Sequence, residues 1–377
     1  MALRTAPVFK PAVSSVSWAY SQMMRPIHAI GWRTIRYVLG AAYLGYIIDR
    51  IVDSGVPTGR ETLAKLMVIG LAISVLGRGW KKLLWVIVDW WPFTAVLILY
   101  DQSRKFADTA GMPLHMTDIA RWENDLFFGH VPTVWLQQHF YSDGHVHWYD
   151  AVASLTYSSH FLVTPVLAGV FWFVNRTVFY RYISRVILLS FAGLATYVLF
   201  PEAPPWMASQ NHVIGEVHRI SALGWTYLHA SFAHQALESG QNGGANPVAA
   251  MPSLHFAFSF LAAMFLAQRI ASRWRNLIYL YPVVMALTLV YTGEHYVIDE
   301  IAGLAYALAA HFAIRRFEIW WQARQGSKRL TSVAFDETAG LSENHAAEVL
   351  EAGEVGETSG AIDTPDTAET NGVPARG

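Results

Sequence analysis

The chain has 377 residues, 53% of them hydrophobic and only 15% charged, a balance too apolar for an ordinary soluble domain and expected of a polytopic membrane protein. The absence of cysteine excludes disulfides and thiolate metal sites, and the formal net charge of −1 conceals bases gathered in particular loops and acids gathered near the C-terminus. Tryptophan and tyrosine crowd the ends of the apolar runs, where amphipathic rings anchor at a membrane interface.

Residues 1–31 read as a short basic surface segment carrying Arg4, Lys10 and Arg25, with no uninterrupted apolar core that would mark a cleavable signal. Eight apolar spans are predicted after it, over 32–48, 63–76, 83–100, 149–174, 183–200, 253–267, 277–291 and 296–314; the second is short, with Lys65 near its start. The predicted fold is therefore all-α, a polytopic membrane helix bundle of about eight transmembrane helices. It divides into two N-terminal spans (32–82) and a six-helix core (83–317). Basic residues fall at alternate connections: Arg78, Lys81 and Lys82; Arg176 and Arg181; Arg269, Arg273 and Arg275; and Arg315, Arg316, Arg324, Lys328 and Arg329. Because basic flanks are retained in the cytoplasm, both termini are placed there, and 101–148, 201–252 and the turn at 292–295 face the periplasm or exterior.

The connection 101–148 is too long for a plain turn, and 118–128 and 132–140 read as short amphipathic helices on the interface. They suit a lid over the site or a seal on the bundle's end. His130, His139, His145 and His147 cluster in this connection, but their spacing matches no metal motif and no metal is expected. In the fourth span, Tyr157-Ser158-Ser159-His160 forms a polar cluster whose Ser159 and His160 either bind substrate hydroxyls or pack helix to helix. Pro204-Pro205-Trp206 stops the fifth helix, and the glycines of 238–246 suit either a mobile loop for substrate entry or a plain linker.

Residues 251–303 are the centre of the pattern. Met251-Pro252-Ser253-Leu254-His255 opens one apolar helix, a basic turn follows, and a second helix returns to Thr292-Gly293-Glu294-His295-Tyr296-Val297-Ile298-Asp299. Legs of about 25–30 Å each would bring His295 back to the level of His255. His295 and Asp299 stand at i and i+4, so the carboxylate can accept one ring N–H and fix which nitrogen stays basic. Pro252 and Ser253 suit a first helical turn, where a hydroxyl and free N–H groups form an anion site. An oriented histidine, a second histidine and an anion cradle make a kit for phosphoryl transfer. From about 327 to 377 the chain is rich in Glu, Asp, Thr, Gly and Ala, and a disordered acidic cytoplasmic tail is expected.

Pro252-Ser253-Leu254-His255 followed by His295-x-x-x-Asp299 resembles the type 2 phosphatidic acid phosphatase superfamily, and more closely its inositol phosphorylceramide synthase-like branch. Pro201-Glu202-Ala203-Pro204-Pro205-Trp206, Thr292-Gly293-Glu294-His295-Tyr296 and Tyr100-Asp101-Gln102-Ser103-Arg104 add local matches, and 126–135 resembles bacterial members, the whole covering roughly 88–317. The resemblance implies a six-helix phosphatidic acid phosphatase-like core in a bacterial plasma membrane and an enzyme acting on a lipid phosphate or phospholipid, with no cofactor and no nucleic-acid partner. It also implies His295 as nucleophile, Asp299 orienting it, and His255 as the proton donor to the leaving group. Many of the superfamily's phosphatases carry a Ser-Arg pair shortly before the nucleophile; here Thr288 and Leu289 stand in that place. A guanidinium must come from elsewhere. Arg104, with Asp101, is the candidate, against the alternative of an interfacial salt bridge to Asp101 or Asp108. Ser253 and His160 complete the expected substrate-binding set. The branch favours a headgroup transferase; a lipid-phosphate or polyprenyl-phosphate phosphatase is the alternative, and a transporter or haem-binding bundle a more remote one.

Overall fold

The computed structural model describes residues 31–50, 60–243 and 246–354, so the basic segment before Gly31 lies outside the described residues. These are helical almost throughout: α1 (31–50), α2 (Arg60–Val75), α3 (Trp80–Ala110), α4 (Thr117–Leu126), α5 (Pro132–Phe140), α6 (Trp148–Val174), α7 (Arg176–Leu199), α8 (Pro205–Gln210), α9 (Gly224–Tyr227), α10 (Ser231–Gly243), α11 (Leu254–Ala267), α12 (Leu280–Tyr291) and α13 (Val297–Glu354). Among the described residues no strand forms, only isolated bridges. The all-α prediction holds. Each of the eight expected spans falls on a helix, and among the described residues three of them (α6, α7 and α13 over Val297–Gln325) are by themselves long and apolar enough to cross a membrane.

Several boundaries differ, each for a local reason. The third span does not stop at Tyr100: α3 continues to Ala110, because 101–110 is polar but holds no helix breaker, and it ends where Gly111 turns left-handed at φ 63°. The seventh α-helix of the set starts at Arg176, where the Asn175 side chain accepts the N–H groups of Thr177 and Val178 at 3.0 and 3.2 Å. The hairpin legs are shorter than expected. At 14 residues α11 is about 21 Å long, and α12 is preceded by a 3₁₀ turn over Arg273–Tyr279. A helix, α10, occupies most of the expected glycine loop. Beyond about residue 326, where a disordered tail is expected, α13 continues to Glu354 through a stretch rich in the helix formers Ala, Glu and Leu. The described residues divide into two compact units, one up to Ile314 and one from Arg315 onward.

The main core of the first unit joins α2, α3, α6, α7, α11 and α13 through side chains such as Trp90, Phe179, Tyr182, Leu189, Leu261, Phe265 and Ala307. One end of α3 is fixed by a buried charge. Asp89 accepts the Trp172 indole N–H at 2.7 Å, the Tyr180 hydroxyl at 2.6 Å and the Arg176 guanidinium, which also lies over the Trp172 ring. Two smaller clusters position the site. Tyr157 of α6 packs with Met285 and Leu289 of α12, and Ile119 and Ala120 of α4 pack with Ala208 of α8 and with Tyr296 at the start of α13. The short helices α4 and α8 thus sit against the end of the bundle at which α12 hands over to α13.

Candidate active site

The polypeptide between α12 and α13 is a tight stop followed at once by a new start. Thr292 returns its hydroxyl to the Thr288 carbonyl at 2.8 Å, Gly293 turns left-handed at φ 78°, and the N–H groups of Glu294 and His295 donate to the Leu289 carbonyl. Only glycine suits position 293, since a Cβ there would stand 2.9 Å from the His218 carbonyl oxygen. Tyr296 is the residue before α13, and Oδ2 of Asp299 reaches back to its N–H at 2.9 Å. The same oxygen lies 3.3 Å from Nδ1 of His295. A carboxylate only accepts, so Nδ1 carries the proton and Nε2 keeps the lone pair. One side chain both caps the helix and sets the tautomer.

A second carboxylate supports this start. Glu123 of α4, fully buried, accepts the N–H groups of Val297 and Ile298 at 3.0 and 3.2 Å, two donors that a helix start leaves without partners. Burial pushes the Glu123 carboxyl up to about 7 against the pull of those two hydrogen bonds, with the Asp299 charge adding to the rise.

His255 arrives from α11. Ser253 caps that helix, its hydroxyl oxygen accepting the Phe256 N–H at 3.4 Å while its own N–H donates to the Asp299 carbonyl at 2.9 Å. Tyr197 of α7 holds the preceding residue by donating to the Pro252 carbonyl at 2.9 Å. Pro252 and Ser253 therefore precede the first turn instead of forming it. Ser253 is fully buried with its oxygen turned to its own helix. The backbone link between Ser253 and Asp299 ties the two histidine-bearing helices together, and the ring centroids of His255 and His295 stand 5.7 Å apart. His160 comes within 4.2 Å of the His255 ring, and Tyr157 stacks on it at 5.0 Å. Ser159 instead pairs with the Tyr281 hydroxyl at 2.8 Å, a contact between helices. Of the expected set, His255, His295, Asp299 and His160 converge, and Ser253 acts from beneath. Asp101 and Arg104 lie in the last turns of α3, outside the residues whose side chains are described.

A guanidinium does stand at this end of the bundle, and it is not one that sequence pattern singles out. Arg219 pairs in bidentate fashion with Glu294, Nε and Nη2 each 2.9 Å from a carboxylate oxygen, and lies 5.0 Å over the Trp206 ring. Burial works against its charge, but Glu294 and, less strongly, Tyr157 together outweigh it and hold the guanidinium above its ordinary range. Ser221 and Gln241 complete the cluster, donating to Glu294 at 2.6 and 3.0 Å. Gln137 of α5 clamps the same region, bonding the carbonyls of His218 and Tyr291 and the N–H of His218, each at 2.8 Å. The Pro204-Pro205-Trp206 motif was the available signal, since the backbone N–H of Trp206 donates to the Gly293 carbonyl at 3.2 Å. Among the described residues no group of three or more His, Asp or Glu could hold a metal, and His139 binds the Trp135 carbonyl while His145 and His147 touch ring to ring.

Comparison with known families matches residues 117–313, just over half of the chain, to the PAP2 superfamily. The chain belongs to the PAP2 superfamily. The match opens on the first residue of α4, so the short helices α4 and α5 lie within the PAP2 region and α1 to α3 precede it. Among relatives, a phosphoinositol dihydroceramide synthase of Bacteroides thetaiotaomicron is 28% identical over 58% of this chain and 72% of its own length. An inositol phosphorylceramide synthase catalytic subunit of Schizosaccharomyces pombe is 22% identical over 74% of this chain and 63% of its own length. No solved structure matches the chain. With its apolar helices, the protein is an integral membrane enzyme of the PAP2 superfamily.

Proposed function

We propose that this enzyme moves a phosphate-bearing headgroup, such as inositol phosphate, to or from a lipid through a phosphohistidine on His295. The observation that carries the reading is the pair of imidazole rings 5.7 Å apart with the Asp299 carboxylate on the Nδ1 side of one of them. In the first half-reaction Nε2 of His295 bonds to phosphorus as the bond to the leaving lipid oxygen breaks, and His255 gives that oxygen its proton. Positive charge builds on the His295 ring, against which Asp299 lies. In the second half-reaction His255 takes the proton of the acceptor hydroxyl, whose oxygen then displaces His295 from phosphorus. Arg219, one residue contact away through Glu294, supplies charge for the phosphoryl oxygens, with Arg104 and Asp101 at the rim of the same face and His160 toward headgroup hydroxyls. The distribution of Lys and Arg supports a site on the periplasmic or outer face with cytoplasmic termini.

The test is headgroup transfer by the purified full-length protein, given phosphatidylinositol labelled in its headgroup with and without a lipid alcohol. Label is expected on the acceptor lipid, with no free phosphate. Acceptor-independent release of phosphate would reject transfer in favour of hydrolysis. His295→Ala and His255→Ala are each expected to lower turnover by roughly 10³-fold or more in protein that still folds and inserts. Unchanged turnover in either variant would break the role assignment.

A further inference from the structure

Glu202, in the stretch after α7, has no part in the scheme above, yet its surroundings are unusual. The side chain is fully buried, and neither carboxyl oxygen meets a hydrogen-bond donor among the described residues. Its backbone is held on both sides: the Glu202 N–H donates to the Val248 carbonyl at 2.8 Å, and His115 bonds to the carbonyl of Pro201 and the N–H of Ala203 at 2.9 Å each. The carboxyl faces Asp299, with Asp118 and Glu123 of α4 and Tyr296 around it, and the ring of the neighbouring His115 is itself paired with Asp118. Asp299 has a matching need. Its Oδ2 accepts Tyr296 and His295, but its Oδ1, also buried, meets no donor.

Two buried carboxyls side by side, each with an oxygen lacking a donor, satisfy one another only when one of them carries a proton. Asp299 is already committed as an acceptor to two N–H groups, a role that suits its anion. The proton therefore belongs on Glu202. We infer that Glu202 is a positioning residue for the reaction, a neutral carboxylic acid whose O–H donates to Oδ1 of Asp299 and so holds that carboxylate square to His295. Burial first, and the Asp299 charge second, push the Glu202 carboxyl well above the usual carboxylate range, in keeping with this geometry. The shared proton also limits charge behind the nucleophile. A second full anion beside Asp299 would favour the doubly protonated imidazolium of His295, which has no lone pair on Nε2 for phosphorus.

This inference rests on His295 as nucleophile, so its test includes a readout that needs no turnover. Infrared spectra of the full-length protein at neutral pH should contain the C=O stretch of a buried protonated carboxyl that is missing from Glu202→Gln; identical spectra would overturn the proposal. In the transfer assay Glu202→Ala leaves Oδ1 of Asp299 without a donor, and kcat is expected to fall about 10- to 100-fold with KM within about threefold. Glu202→Gln, whose amide N–H can donate in place of the acid, should restore most of that loss and remove the alkaline decline in kcat caused by ionisation of Glu202. A Gln variant as slow as the Ala variant, or an Ala variant with wild-type kcat, would overturn it. Failure of the nucleophile assignment shows separately, as turnover in His295→Ala.

Discussion

Three carboxyl groups from three parts of the chain converge behind one imidazole, and each meets a different demand. Asp299 orients His295, Glu123 neutralises the bare N–H groups at the start of α13, and Glu202 faces the remaining oxygen of Asp299. The Glu123 carboxyl, raised from an ordinary 4.5 to about 7, holds its proton more tightly folded than unfolded. Between those limits the native state binds more protons, so folding stability must fall as pH rises from about 4.5 to about 7, by roughly 3 kcal/mol for this group alone. Thermal melting of the solubilised protein across that window should show the decline, and Glu123→Gln should flatten it; an unchanged slope in the variant would remove Glu123 from the account. Arg219 makes a kinetic prediction. Arg219→Lys keeps the charge but cannot pair with both oxygens of buried Glu294, so kcat/KM is expected to drop about 10- to 100-fold, with a fall in melting temperature from the lost hydrogen bond. Wild-type kcat/KM in that variant would leave the phosphoryl oxygens without this cation. His255, His295 and Asp299 were readable in the sequence because one hairpin and one i, i+4 step are enough to bring them together. Arg219, Glu123 and Glu202 were not, because they reach the site by tertiary contact from a connection, a surface helix and an irregular stretch, none of which has a periodicity that says where a side chain ends.

At the scale of elements, the site depends on how closely α11 and α13 approach. Hydropathy placed a helix at each of the eight apolar stretches, and amphipathic pattern placed α4 and α5 to within two residues, since both signals reflect burial of a face. It could not foresee that α3 would outrun its apolar stretch, nor that α10 would form where glycines and polar residues suggested a loop, because helix propensity operates without an apolar face and local packing decides such cases. The approach itself is set by Gly303. A Cβ at that position would stand 2.6 Å from the Ser253 carbonyl oxygen, which is backbone and cannot rotate away. Gly303→Ala must therefore push α13 off α11, stretching the Ser253–Asp299 hydrogen bond and parting the two histidines. A displacement near 1 Å costs on the order of 10²-fold in rate, and overpacking of this kind costs about 1–3 kcal/mol. Gly40→Ala, which adds its methyl to open space, is the control expected to keep both rate and melting temperature. If Gly303→Ala behaves like the control, the two helices do not set the histidine separation.

For the molecule as a whole, the chemistry depends on which face of the membrane carries the site. His255 lies at the start of α11 and His295 just after the end of α12, so the basic turn joining these helices, with Arg269, Arg273 and Arg275, stands about one α11 length, roughly 21 Å, from the histidine pair. That separation is shorter than a typical hydrocarbon core of roughly 30 Å, so the turn and the site contact opposite aqueous phases only where the bilayer thins around the bundle or the site lies below the interface. On the proposal that bases are retained on the cytoplasmic side, the site faces outside, where the acceptor lipid would have to be present. The chain contains no cysteine, so single reporters can be introduced without a background. Ser142→Cys, exposed in the connection between α5 and α6, should react with a membrane-impermeant maleimide in intact cells. Ala271→Cys, exposed in the basic turn, should react only after the membrane is permeabilised. The reverse pattern would move the histidine pair to the cytoplasmic face, and the donor and acceptor would then have to be lipids of the inner leaflet.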